Sequence, residues 1–219
     1  MASIYSSRGM PQTTWANRPA LTAFPAFSPI VFTDIGASAT TANKGTAWYH
    51  DNTSWRPVGG CAMLYTLGSA FQDKTTNVTT EEIKGQVLIP AGLWATVDHK
   101  ILVRHTLAKS GTSNTATYTI RLGTAGTTSD TLIIAAAAGS PTGTSRQGQN
   151  DRYFVRESAT SVNQPFSGTA AYDTTTATPT TTVTVSDIDA NAVYLSMGIY
   201  VATGTETTQL RQFDVYMEA

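Results

Sequence analysis

A single cysteine, Cys61, is the chain's whole supply of thiols, so no disulfide can form within it. That suits a protein folded and assembled in a reducing cytoplasm, and it leaves stability to packing. Cys61 lies among Gly60, Ala62, Met63 and Leu64, and a small free thiol in such company is expected to be buried. Charge is scarce as well: 13% of residues are charged and the formal net charge is −1. A nucleic-acid binder would show a basic stripe, and none is visible, so no nucleic-acid partner is expected. Long apolar runs are missing. The longest, Leu132 to Gly139, falls far short of the ~20 residues a membrane span needs. Residues 1–8 lack a charged start followed by an apolar core, so no secretory signal is expected.

The residues of catalytic chemistry are thinly spread. There are three histidines, His50, His99 and His105. On one unbroken strand His99 and His105 would lie ~20 Å apart, too far for joint metal ligation. His50 falls at a turn. Each is read as a surface or packing histidine. Asp187-Ile188-Asp189-Ala190-Asn191 mimics the start of a calcium loop, but Ala192 and Gly198 stand where that loop needs Gly and Glu. It reads better as a polar turn before a strand. There is no Gly-x-Ser-x-Gly elbow and no phosphate-binding Gly-x-x-x-x-Gly-Lys loop. Glycoside hydrolysis needs two facing carboxylates. Asp130, Asp151, Glu157 and Asp173 all lie in or beside turns, with nothing to pair them. The expectation is a non-enzymatic protein with no metal and no cofactor.

What the chain does have is Thr, Ala, Ser and Gly, a mix that suits strands and short turns. Period-two alternation recurs from Val87 onward. Ile101, Val103, His105 and Leu107 share a face, as do Ala116, Tyr118, Ile120 and Leu122. Val193, Leu195, Met197, Ile199 and Val201 do the same, and Phe213, Val215 and Met217 repeat it. Turn-rich stretches at 123–130, 139–150, 167–180 and 204–207 separate them. Many short strands with such turns indicate a sandwich or jelly roll. Cys61 to Leu67 reads as a further strand, and 80–84 as a loop or a short turn of helix.

Ahead of these strands lies a different kind of sequence. Pro11, Pro19, Pro25 and Pro29 forbid a long helix in residues 1–29 and favour extended backbone. Tyr5, Trp15, Phe24 and Phe27 argue against simple disorder. This stretch is read as an attachment arm carrying anchoring rings; the alternative is a terminus packed on its own domain. Then Gly45 to Gly60 sets Trp48-Tyr49 and Trp55 on either side of the polar turn His50-Asp51-Asn52-Thr53-Ser54, a β-hairpin pattern. A lone hairpin has little to bury its rings against. The expectation is that another chain covers Trp48 and Trp55, with Trp15, Trp48 and Trp55 as interface anchors.

These residues carry a resemblance. Ile30-Val31-Phe32-Thr33-Asp34-Ile35-Gly36 followed by a hairpin closing on Trp55-Arg56-Pro57-Val58-Gly59-Gly60 resembles a small module of tailed-bacteriophage virion proteins. Val87 to Trp94, Lys100 to Arg104 and Thr117 to Gly123 are similar to the jelly-roll domain of phage tail fibres and head decorations. Together the two cover roughly residues 30–219. The resemblance implies an all-β chain: an extended N-terminal arm at 1–29, a small β-hairpin module at 30–60, a connecting segment at 61–86, and a C-terminal antiparallel jelly-roll sandwich at 87–219. It implies a virion structural protein assembled in the host cytoplasm, a homotrimer by analogy, partnered by phage tail or capsid proteins. A tail-fibre or receptor-binding knob is the first reading, capsid decoration or cement the alternative. A glycan-binding or glycan-cleaving module ranks below both. Attachment residues are then Tyr5, Trp15, Phe24, Phe27, Trp48 and Trp55. Tyr153, Phe154, Phe166 and Tyr172 flank polar loops and are candidates for stacking on a host surface glycan, or for core packing.

Overall fold

Four prolines keep residues 10–29 out of regular helix. In the computed structural model this stretch forms strand β1, Gln12–Thr13, and two single-turn 3-10 helices, Trp15–Asn17 and Leu21–Ala23. The structure describes residues 10–38, 45–67, 72–76, 80–95, 99–110, 116–136, 146–164, 181–201 and 207–218. Among them no helix is long and apolar enough to cross a membrane.

The hairpin region builds a four-stranded sheet. It takes β1, then β2 (Ile30–Phe32), β4 (Thr46–His50) and β5 (Trp55–Pro57), in that order. Between them β3, Ala37–Ser38, leaves this sheet and runs parallel to β6, Cys61–Thr66. Strand β3 therefore ties the module to the larger sheet beyond it.

The remaining strands are β7 (Gln72–Thr76), β8 (Glu82–Ile89), β9 (Lys100–Ser110), β10 (Ala116–Gly123), β11 (Thr131–Ala136), β12 (Arg146–Ser158), β13 (Ser161–Gln164), β14 (Thr181–Thr184), β15 (Val193–Val201) and β16 (Thr207–Glu218). One sheet runs β11-β10-β15-β8; the other contains β12-β9-β16-β6. All neighbours within these two sets are antiparallel. Numbered in chain order, the eight strands give 2-7-4-5 and 1-8-3-6. That is the double Greek key of a jelly roll. Strand β3 extends the second sheet at one edge, β13 and β14 at the other, and β7 pairs with β16.

The fold is all-β, as expected. Its sandwich starts earlier than Val87: β6, the first of the eight, lies in the segment read as a connector. Residues 82–84, read as loop or helical turn, begin β8. Residues 146–150, read as turn, begin β12. In both cases strand pairing, not alternation of the sequence, fixes the backbone conformation.

The alternating faces meet between the sheets. Ile101, Val103, Phe213, Val215 and Met217 of one pack against Tyr118, Ile120, Leu122, Leu195, Met197 and Ile199 of the other, all buried. This one core continues into the N-terminal module through Trp15, Phe32, Trp48, Leu64 and Leu93.

Candidate functional site

The hairpin forms at the expected place. Strand β4 pairs with β5 as Trp48↔Pro57, Tyr49↔Arg56 and His50↔Trp55. Asp51 builds its turn, accepting from the N–H of Thr53 and Ser54 at 2.9 Å each, from the Thr53 hydroxyl at 2.6 Å and from Arg56 Nε at 2.5 Å. Burial opposes the charge on Asp51, but these donors outweigh it and hold the carboxyl far below the usual carboxylate range. Asn52 takes the left-handed conformation the turn requires, with φ 76°.

The rings of the hairpin are covered by this chain, which corrects the expectation that a sister subunit shields them. Trp15, Trp48 and Trp55 are 3%, 0% and 7% exposed. Residues 15–24 fold back over the sheet and supply the missing layer. Trp15 meets Phe32 edge-on with centroids 5.0 Å apart and Trp48 at 5.7 Å, while Phe24 and Phe32 lie 5.9 and 5.2 Å from Trp55. His50 joins this layer. Its Nε2 donates to the Phe24 carbonyl at 2.7 Å and its Nδ1 accepts from Asn52 N–H at 3.2 Å, which fixes the neutral tautomer. The described part of the proposed arm is thus a packed layer, and Trp15, Trp48 and Trp55 serve as core residues.

Trp15 also joins the module to the jelly roll. Its backbone N–H donates to Asp34 Oδ1 at 2.7 Å and its indole Nε1 to the Ala91 carbonyl at 2.9 Å, just beyond β8. Arg18 lies over the indole, 4.5 Å from its centroid. Beside this joint is a cleft of about 630 Å³ lined by Trp15, Arg18, Asp34, Tyr65, Leu88 and Asp189, among others.

Among the described residues of the expected attachment set, Phe27 alone is presented to solvent. It is 68% exposed and holds φ 60°, unusual for a bulky residue. Its N–H donates to the His50 carbonyl at 2.9 Å, and its ring stacks on Tyr49 at 6.0 Å and 28°. Val58, also exposed, follows β5 and donates its N–H to Ala47. Phe27 and Tyr49 thus form an aromatic patch, with Arg56 the register partner of Tyr49, and Tyr49 points away from the packed Trp48 and His50. Phe24 is half-buried against Trp55. Tyr5 lies outside the described residues.

The expected recognition set does not converge in the described residues. Tyr153 is 38% exposed, but its neighbour Phe154 points into the sandwich and is fully buried. That corrects Phe154 to a core residue, as period-two geometry requires of one of two adjacent strand rings. Phe166 and Tyr172 lie outside the described residues.

Each described carboxylate weighed for hydrolysis has a structural task. Asp130 accepts the N–H groups of Ala125, Gly126 and Thr127. Asp151 pairs with Arg104 at 2.8 Å, and Glu157 accepts from Asn163 and Thr182. Asp173 lies outside the described residues. Asp187 accepts from the N–H of Asp189 and Ala190, forming the polar turn read from the sequence, and Asp189 pairs with Arg156 at 2.6 Å. Among the described residues no three His, Cys, Asp or Glu side chains cluster as a metal site would need. His99 and His105 are both buried. Cys61 is exposed, against expectation, because it opens β6 at the end that β3, paired only at Tyr65 and Thr66, does not reach. Partial desolvation at the sulfur, and after it the charge of Glu218, push its thiol up.

The sequence reading passed over Tyr49, which faces outward beside Phe27, and Arg152, which faces inward from β12. Alternation between Trp48 and His50 marks the first; Phe154, two residues on from Arg152, marks the second.

No family model matches the chain, and no curated protein does. Among solved structures, the chain is similar to the CBM2 module of an evolved Dit of Lactobacillus casei BL23 phage J-1. The TM-score there is 0.35 at 6% identity, over 67% of this chain and 74% of that one. It is also similar to VP2 of the infectious bursal disease virus subviral particle, with a TM-score of 0.39 at 10% identity, over 81% of this chain and 44% of that one. At these values the likeness assigns neither fold nor function.

Proposed function

We propose that this chain is a non-enzymatic structural protein of a tailed-bacteriophage particle, a homotrimeric knob attached through its N-terminal module, with the jelly roll facing outward. Within that reading it serves as a tail-fibre or receptor-binding component. The observation that carries the proposal is the two-ended layout. The module is bonded to the jelly roll at Ala91, on the turn that follows β8. The connections from β9 to β10, β11 to β12 and β15 to β16 leave from the opposite end, where Ser110 pairs with Thr207 and Ala116 with Val201. One end is therefore suited to attachment and the other to presentation. The phage-like sequence from Ile30 to Gly60 falls on the attachment end, which supports the assignment of ends.

The described chemistry suits assembly better than turnover, since the described carboxylates weighed for hydrolysis are committed to a turn, an ion pair and cross-strand hydrogen bonds. The exposed Phe27 and Val58 and the half-buried Tyr49 would be buried against the particle at roughly 25 cal/mol per Å² of apolar surface.

The test is the amount and position of the protein in purified particles. A few copies at the tail, by quantitative gel and antibody-labelled electron microscopy, support the tail reading. Many copies over the head convert it to capsid decoration, and absence from particles overturns the proposal. Sedimentation of the purified chain tests the trimer.

A further inference from the structure

His105 sits in the middle of β9 with its ring inside the sandwich, fully buried. Neither ring nitrogen has a hydrogen-bond partner among the described residues. The ring packs on Tyr118 of β10, centroids 4.3 Å apart and tilted by 57°. The Tyr118 hydroxyl in turn accepts from Nε and Nη2 of Arg152, at 2.9 and 2.8 Å. Arg152 comes from β12 and is itself more than nine-tenths buried. Both of these donors go to a neutral phenol rather than to a carboxylate. The core therefore holds a permanent cation next to an imidazole that no hydrogen bond holds in either protonation state.

The other elements packed here offer little compensation. Strand β16 places Phe213 at the register position opposite His105, and β8 presents Gly85 against Phe213. Strand β12 adds Asp151, but its carboxylate is turned to Arg104 by three hydrogen bonds. Among the described residues the titratable and charged groups around His105 are thus Tyr118, Arg152 and Asp151.

We propose that His105, Tyr118 and Arg152 form a proton-sensitive latch between the two sheets: protonating His105 sets a second cation beside Arg152 in a dry core and opens the sandwich between β9 and β10. Burial, and after it the charge of Arg152, push the imidazole down to about 3, with Asp151 pulling the other way. In an unfolded chain the same imidazole titrates near 6.5. The folded value lies below the unfolded one, so the unfolded chain takes the proton first. The stabilisation is complete above about pH 6.5 and is lost as the pH falls toward 3.

The test compares the pH dependence of unfolding of the full chain with that of His105→Phe, which keeps an aromatic ring against Tyr118. Between about pH 6 and 4 the unmodified chain's unfolding constant should rise up to about tenfold more per pH unit than the variant's, the effect of one extra proton. Parallel curves would overturn the proposal. A direct reading guards against a variant that does not fold. In the folded, unmodified chain the His105 ring shifts in NMR should stay constant from about pH 7 to 5; a titration midpoint near 6.5 sinks the latch.

Discussion

Gly85 lies with its α-carbon against the ring of Phe213: a Cβ built on Gly85 would stand 2.6 Å from Phe213 Cδ1 and 3.1 Å from Leu210 Cδ2. Here β8 of one sheet approaches β16 of the other, and the missing side chain sets the spacing. Phe213 is fully buried and has no room to retreat. Gly85→Ala should therefore destabilise the chain by roughly 1–3 kcal/mol, the usual penalty of overpacking. The check is a urea titration in which the midpoint falls while the slope stays constant. An unchanged midpoint would mean that the sheets separate freely at this point.

The joint between module and jelly roll gives a second prediction. Trp15 is the residue that both packs on Trp48 and bonds to Ala91. Trp15→Phe keeps an aromatic ring but removes the indole donor, leaving the Ala91 carbonyl without it. A loss of about 1–3 kcal/mol is expected. It should fall on the module first, read as faster amide exchange in residues 10–57 than in β9 or β16. Uniform acceleration across both parts would show that module and sandwich open as one unit.

Much of this fold was legible in the sequence, and the reason is local. The inward sets on β9, β10, β15 and β16 alternate cleanly, and the structure buries them. The Trp hairpin was marked by its turn residues. Two kinds of information were not local. Strand β6 belongs to the jelly roll because it pairs with β16, a partner some 150 residues away in sequence, which no periodicity encodes. The cover over Trp48 and Trp55 comes from residues 15–24: the prolines of the N-terminal stretch suggested a departing arm, but the 3-10 turns Trp15–Asn17 and Leu21–Ala23 carry the backbone over the sheet. Cys61 was misplaced because its apolar neighbours said nothing about its position at a strand end. Of the attachment rings, composition could not separate Phe27 from Phe24; only the backbone at Phe27 turns its ring outward.

Phe27 now carries the attachment hypothesis. Its positive φ is costly for a bulky residue, and Gly adopts that conformation without strain. Phe27→Gly loses a stacking contact with Tyr49 and gains backbone relief, so net stability should change by less than ~1 kcal/mol. Incorporation into particles should nevertheless drop severalfold. Measuring melting temperature and particle content of the same variant separates the two effects. Full incorporation of a stable Phe27→Gly chain would remove the patch from the attachment surface.

Glu81 and Arg121 provide a pH-linked prediction on the outer face of the smaller sheet. Arg121 Nε and Nη2 donate to Glu81 at 2.7 and 2.6 Å, and Thr119 donates at 2.5 Å. Gly198 leaves the space this carboxylate fills, since a Cβ there would stand 2.4 Å from Glu81 Oε1. Burial opposes the charge, but Arg121 and Thr119 prevail and hold the carboxyl below its usual range. A depressed folded value means stability that is fully present above the unfolded carboxylate range and lost as the pH falls from there through the lower folded value. Glu81→Gln should cost about 1–3 kcal/mol at neutral pH, between the surface and buried limits, and should lessen the acid dependence. Replacing both partners, Glu81→Leu with Arg121→Met, should cost less than the single change, because no stranded charge remains. A double variant weaker than the single one would show that the pair contributes more than desolvation removes.

The tryptophans provide the prediction that bears most directly on assembly. All four are buried within one chain, Trp94 at 1% exposure included, and the Trp94 indole donates to the His99 carbonyl at 2.8 Å. If sister subunits supplied the cover, dilution that separates the copies would wet the indoles and shift their emission to the red. With the cover supplied by Phe24, Phe32 and the sandwich, emission should stay blue-shifted and independent of concentration. The measurement is fluorescence across a dilution series, with sedimentation run on the same samples to report the oligomeric state. A constant spectrum across a change of mass separates folding from association and leaves the outward Phe27 patch as the surface to probe by mutation. A red shift that tracks dissociation would instead return Trp48 and Trp55 to the interface, and Trp55→Ala should then weaken association more than Trp94→Ala. Where the rings are core alone, both substitutions should cost roughly 3–5 kcal/mol of folding stability and leave no difference in association between them.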